Sequence, residues 1–183
     1  MDPSGQSVSI VLNGEESELR FIKSTSTKFD FRQSSGGVPD AFVLVYSVID
    51  KPSYHRVEQD VIRLHEEGYL RTRPAIIVAN KIDLARARAV SSQDAKNLAA
   101  SFKVKFIEVS VGIHHNVDEL LVGILNQIRL KRSLVQTGGA QAAAPWKSNT
   151  TLVRASMKAR QMLNWFFVKP DSKTKQCENL HVL

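Results

Sequence analysis

The sequence predicts an α/β domain on a mixed, mostly parallel sheet, followed by a linker and a basic amphipathic helix. Three observations carry that prediction. Short apolar runs alternate with helical patterns of about a dozen residues, the arrangement expected of parallel strands in a sheet covered on both faces. A hairpin signature precedes them. Beyond residue 132 the composition changes to paired glycines, an alanine-proline stretch and then a segment poor in acids.

The hairpin comes first. Val8, Ile10 and Leu12 alternate with smaller residues up to Asn13-Gly14, and Leu19 and Phe21 open a second run. Asn-Gly between alternating apolar residues is a strong local signal for a two-residue turn. From Ser24 to Asp40 the chain is rich in Ser, Thr, Gly and charge without an apolar period, and reads as a loop.

Ala41 to Ser47, Pro74 to Ala79 and Phe106 to Ser110 are the apolar runs that predict strands. The helices between and after them are expected over Tyr54 to Gly68, Ser92 to Phe102 and Val117 to Arg132. Asn116 is positioned to cap the last, and Asp118-Glu119 suit the positive N-terminal end of its dipole. Residues 1–132 form the domain and residues 133–150 the linker, with Gly138-Gly139 and Ala142-Ala143-Ala144-Pro145. In the tail, 151–183, Leu152, Ala155, Ala159, Met162 and Phe166 fall at helical spacings of three and four, with Arg154, Lys158 and Arg160 nearby.

Charge is distributed unevenly. The net charge is +7; residues 1–132 hold 18 Lys/Arg against 16 Asp/Glu, whereas residues 133–183 hold 7 against 2. Acidic partners are therefore expected at the tail. A single cysteine, Cys177, excludes an internal disulfide framework, and no Cys-x-x-Cys or H-E-x-x-H spacing offers a metal set. Met1 to Val8 is polar, and no run of about 18 apolar residues is present to span a bilayer.

The motif with chemistry is Asn80-Lys81-Ile82-Asp83, following the apolar run Ile76 to Ala79. In an α/β sheet, ligands bind beyond the carboxyl ends of the strands, which is where these residues fall. A carboxylate at Asp83 can accept the N1 and N2 hydrogens of guanine, which adenine cannot supply. The Lys81 stem can lie over the ring and Asn80 can brace the loop. By itself such a tetrapeptide is also a turn between a strand and a helix. A second element, Ser110-Val111-Gly112 at the end of the next strand, adds amides able to meet the guanine O6. No G-x-x-x-x-G-K-[ST] phosphate loop occurs in the chain.

The order strand, N-K-x-D, helix, strand, S-x-G resembles that of Ras-like small GTP-binding proteins, and more closely their RGK (Rad, Gem, Kir) subfamily. Asn80 to Arg88, Lys105 to Ser110, His114-His115-Asn116-Val117, Gln127 to Leu130 and the terminal Cys177-Glu178-Asn179-Leu180-His181-Val182-Leu183 carry that resemblance. It covers about residues 7–132 and the last thirty. The implied fold is a Ras-like G domain, here incomplete: the first strand, phosphate loop, first helix and switch I have no counterpart ahead of the hairpin, as in a truncated isoform or partial gene model. Asp2-Pro3-Ser4-Gly5 spells D-x-x-G in the wrong place, and Gln33 is not preceded by that motif.

The resemblance implies GTP or GDP as ligand, without a magnesium site or catalytic residues in this chain, and weak or absent hydrolysis. It also implies inhibition of voltage-gated calcium channels through their β subunit, at the inner face of the plasma membrane. Arg154, Lys158, Arg160, Trp165, Phe166, Phe167 and Lys169 form the expected contact with calmodulin or anionic phospholipids. A terminal helix docked on the domain is the plainer reading. Cys177 is too far from the terminus for C-a-a-X prenylation. His114-His115 read as structural, since adjacent side chains diverge. Arg86 and Arg88 do not mark a nucleic-acid face, because the surrounding charge is nearly balanced. Two other functions fit the same residues: an ordinary active Ras-type GTPase whose N-terminal segment is missing from this sequence, and a calmodulin- or membrane-binding scaffold acting without nucleotide.

Overall fold

The computed structural model describes residues 6–24 and 37–136. Strands β1 (Gln6–Leu12) and β2 (Glu15–Phe21) form an antiparallel hairpin in which Leu12 faces Glu15. Asn13 and Gly14, at φ 56° and 82°, make the turn. Two successive left-handed residues match the twist of the flanking strands, and this is why Asn-Gly is favoured there. Val8, Ile10 and Leu12 are buried while their neighbours are not, as a half-buried strand requires.

A second sheet holds β3 (Phe42–Ser47), β4 (Ala75–Asn80) and β5 (Lys105–Glu108), all parallel, in the order β3-β4-β5. The mixed architecture is thus divided: the antiparallel pair and the parallel trio form separate ladders. All six residues of β4 are buried, consistent with a central strand covered on both faces. Its side chains alternate between two cores. Ile76 and Val78 pack with Val8, Ile10 and Leu12 of the hairpin and with the last helix, whereas Ile77 and Ala79 face a cluster with Tyr46, Val57, Val61, Ala95 and Ala99.

Helix α1 (Lys51–Glu66) starts three residues earlier than the apolar spacing indicates. Asp50 caps it, accepting from the Ser53 amide at 3.4 Å, and Pro52 occupies the first turn, where its missing N–H costs nothing. It ends at Glu66, before Gly68, whose φ of 79° turns the chain into a single helical turn, α2 (Tyr69–Thr72), that carries no apolar period to announce it. Helix α3 (Ser92–Ser101) is capped by Ser91, whose hydroxyl accepts from the Asp94 amide at 3.0 Å. Helix α4 (Val117–Gln136) continues past Arg132 into residues assigned to the linker. The expected strand Phe106 to Ser110 is displaced toward the N-terminus: β5 begins at Lys105, and Ser110 instead pairs with His115 in an isolated bridge.

Asn116 differs from the expected side-chain cap. Its carbonyl accepts from Leu120 N at 3.1 Å, but its amide Nδ2 donates to the Glu108 carbonyl at 2.8 Å, tying the start of α4 to the end of β5. Its φ of 55° explains the difference, because side-chain capping normally uses an extended backbone.

Tyr46 on β3 is buried, and its ring meets that of Tyr54 edge-on at 5.2 Å. Its hydroxyl has no partner among the described residues. Burial pushes its ionisation above the usual tyrosine range, and the Glu108 carboxylate pushes in the same direction. An unpaired buried hydroxyl carries a desolvation cost of about 1–3 kcal/mol, while the ring contact survives its removal. Tyr46→Phe is therefore expected to leave stability unchanged or raise it by about 1 kcal/mol, measured by urea unfolding; a loss of that size would mean that the hydroxyl is bonded.

Candidate functional site at the carboxyl rim of the sheet

The carboxyl ends of β4 and β5 open into two loops, 81–91 and 109–116. Asn80 ends β4 at 5% exposure, and its backbone carbonyl accepts from Val48 N at 3.0 Å. Its side-chain Oδ1 accepts from Lys81 N at 2.8 Å and lies 3.4 Å from Val111 N. One amide oxygen thus binds the loop leaving β4 to the loop leaving β5. Lys81 takes φ 65°, the left-handed region that L-residues enter at a cost, and the bond from Asn80 Oδ1 to its amide holds it there.

With the turn fixed, Asp83 reaches across to Ser110. The Ser110 hydroxyl, fully buried, donates to Asp83 Oδ1 at 2.5 Å. Asp83 itself is exposed. An ionised carboxylate offers about four lone-pair sites, so one serine bond leaves capacity for two further donors on the solvent side. The second loop is closed by reciprocal bonds between Ser110 and His115, at 3.1 and 2.8 Å. The adjacent histidines therefore serve the loop through their backbone. Among the described residues, no group of three His, Cys, Asp or Glu is placed to hold a metal ion.

The structure thus brings Asn80, Lys81, Asp83, Ser110 and Val111 together at one rim. Of the three amides in Ser110-Val111-Gly112, that of Ser110 is committed to His115, and that of Val111 points at Asn80 Oδ1 at a long distance. Gly112 is exposed, and a Cβ there would meet only Ser110 Oγ at 3.8 Å, an ordinary contact. A side chain at this position is therefore tolerated. The tail residues Arg154, Lys158, Arg160, Trp165, Phe166, Phe167 and Lys169 lie outside the described residues.

The family model described as "Ras: Ras family" matches residues 25–130. The chain belongs to the Ras family. Within it this Ras-family protein is RGK-like. The GTP-binding protein RAD of Homo sapiens is 32% identical over 190 residues, covering 96% of this chain and 58% of the relative. The GTP-binding protein REM 2 of Homo sapiens is 35% identical over 157 residues, covering 79% and 45% respectively. The GTP-binding protein GEM of Pongo abelii is 34% identical over 152 residues, covering 80% and 50%. The chain thus spans roughly half the length of the curated relatives it matches.

Sequence reading passes over one support of this Ras-family rim. Arg88, at the far end of the first loop, donates to Glu108 on β5 at 2.9 Å and lies 3.4 Å from the Val90 carbonyl. Glu108 therefore anchors both loops, the first through its carboxylate and the second through its carbonyl, which holds Asn116. The signal was in Asn80 to Arg88, but no local pattern says which acid, 20 residues on, receives the guanidinium.

Asn80→Ala leaves the Lys81 and Val111 amides without their acceptor. The expected loss is about 1–3 kcal/mol for buried groups left unsatisfied, read as a lower urea midpoint with unchanged slope; stability equal to the native chain would remove Asn80 from its role as the rim's tie.

Proposed function

We propose that this chain is a guanine-nucleotide-binding regulatory module of the RGK type with negligible hydrolysis. The carrying observation is the Asp83 carboxylate, fixed by the buried Ser110 hydroxyl at the carboxyl rim of a parallel sheet. In this reading its remaining lone pairs accept the N1 and N2 hydrogens of guanine, the Lys81 stem covers one face of the base, and the Val111 amide exchanges its long contact with Asn80 for the O6 atom. Adenine presents an acceptor at N1 and no amino group at C2. Binding it would leave the carboxylate unpaired, which is how polar sites discriminate.

The base half of GTP or GDP fits the residues present. The phosphate half has no G-x-x-x-x-G-K-[ST] counterpart in this sequence, and with it go the Lys and the Ser/Thr that hold phosphates and magnesium in such sites. Weak nucleotide affinity and no turnover follow from that reading. The names of the relatives, GTP-binding proteins RAD, REM 2 and GEM, support the nucleotide.

The downstream role rests on the resemblance to the RGK subfamily. On that reading the proposed role is inhibition of voltage-gated calcium channels, through the channel's β subunit at the inner face of the plasma membrane. Calmodulin and anionic phospholipids are the proposed partners of the tail, whose +5 charge favours acidic surfaces, each basic residue near anionic lipid contributing about 1 kcal/mol. No helix among the described residues is long and apolar enough to cross a membrane.

Titration of the purified chain with GDP, GTP and ADP in magnesium tests the base site. Guanine nucleotides are expected to bind in preference to ADP, and Asp83→Asn to weaken them about tenfold or more. Equal binding of GDP and ADP, or an Asp83→Asn variant that binds normally, would overturn the assignment. Single-turnover assays with GTP are expected to show no hydrolysis above the uncatalysed background; measurable phosphate release would place the chain among active GTPases.

A further inference from the structure

At the opposite end of the parallel strands, some 20 Å from the rim by strand rise, lies a cleft of about 30 Å³. Its walls come from the end of α2, the starts of β4 and β5, and the C-terminal half of α4. Four cations line it, Arg73, Lys103, Lys105 and Lys131, together with Gln127, and among the described residues no acidic one does.

Two of these cations, Arg73 and Lys131, are held by neutral acceptors. Several arginines elsewhere meet carboxylates: Arg63 with Asp60 and Glu67, Arg88 with Glu108, Arg129 with Glu15, Arg132 with Asp40. In the cleft, Arg73 Nε donates to the Pro39 carbonyl at 2.8 Å and Nη1 to the Thr72 hydroxyl at 3.1 Å. Lys131 Nζ donates to the carbonyls of Leu70 and Arg71 at 3.1 and 3.4 Å. Neutral acceptors fix the position of a cation without cancelling its charge. None of the four cleft cations has a carboxylate partner among the described residues.

Lys103 adds an independent sign. It occupies the left-handed position that closes α3, at φ 55°, its amide donating to the Ala100 carbonyl at 3.2 Å. Glycine fills such a position at lowest cost, and here the residue that takes it is a lysine lining the cleft. Gln127 and Lys131 stand one turn apart on α4 and so share a face, adding an amide donor beside a charge.

We propose that this cleft binds a phosphate-class oxyanion, such as the phosphates of an inositol phosphate or of the corresponding lipid headgroup. A water needs about 10–15 Å³ in the same measure, so the cleft seats about two or three oxygens of one phosphate and leaves the remainder of the ligand in solvent. Preorganised donors lower the cost of ordering on binding, and charge-assisted bonds to phosphate oxygens are the strong kind. The site is separate from the guanine rim and does not depend on nucleotide.

The test is titration of the isotope-labelled full chain with inositol trisphosphate, followed by amide chemical shifts. Shifts are expected at Lys103, Val104, Lys105 and Gln127. Lys103→Gln combined with Lys105→Gln should weaken binding about tenfold or more with an unchanged melting temperature, and salt should weaken it steeply because the charges are solvent-accessible. Shifts confined to residues 137–183 or to the guanine rim would overturn the proposal, as would a double variant that binds like the native chain. Phosphatidylcholine vesicles containing phosphatidylinositol bisphosphate, added to the trisphosphate complex, then identify the source. Release of the cleft signals supports a lipid headgroup in this site, and their persistence supports a soluble phosphate.

Discussion

Asn80 Oδ1 stands where the central strand stops and two loops begin, and the order of the rim depends on the two amides that face it. The position admits few alternatives. An aspartate would bring a charge to a site 5% exposed, where desolvation penalises it, and a longer amide would carry the oxygen past the Lys81 amide. Once Asn80 holds Lys81 in its left-handed turn, Asp83 is brought to Ser110 by chain geometry, and the buried hydroxyl of Ser110 fixes the carboxylate. The placement of the Asp83 carboxylate at this rim is therefore a property of a strand end before it is a property of Asp83 itself.

Much of this was legible. Asn13-Gly14 with alternating Val8, Ile10 and Leu12 specified the hairpin, because turn chemistry and burial both act over a few residues. The apolar runs gave the three parallel strands, and the tetrapeptide Asn80 to Asp83 gave the rim. What escaped was tertiary or came from weak local signals. The four-residue α2 buries no side chain, so no period marks it. The start of α1 was written in Asp50 and Pro52, but capping outranked apolar spacing there. Glu108 gained its double role only when β5 placed it beside Arg88, and Asn116 lost its capping role to the Glu108 carbonyl.

The charges of the domain divide into two kinds of work. Arg132 with Asp40 is largely exposed and contributes little to stability. Arg129 is half-buried and meets both Glu15 and the Ser17 hydroxyl, so it aligns the hairpin along α4. The energy of that docking comes chiefly from Val8, Ile10 and Leu12, at about 1.5–3 kcal/mol for each fully buried side chain. Pairing across elements thus orients, and apolar contact holds.

The separate hairpin ladder has a dynamic consequence. Among the described residues, strands β1 and β2 share a ladder with each other and none with the parallel trio, and the shared apolar cluster and Arg129 are among their links to the rest of the domain. Lifting them away breaks side-chain contacts but no rung of the parallel sheet, so the hairpin is a foldon of its own. Its amides exchange with solvent through a partial opening, while those of β4, paired on both edges and covered on both faces, wait for global unfolding. The hairpin and the parallel sheet are thus expected to open at separate thresholds, and Asn80, as the last residue of β4, belongs to the higher one.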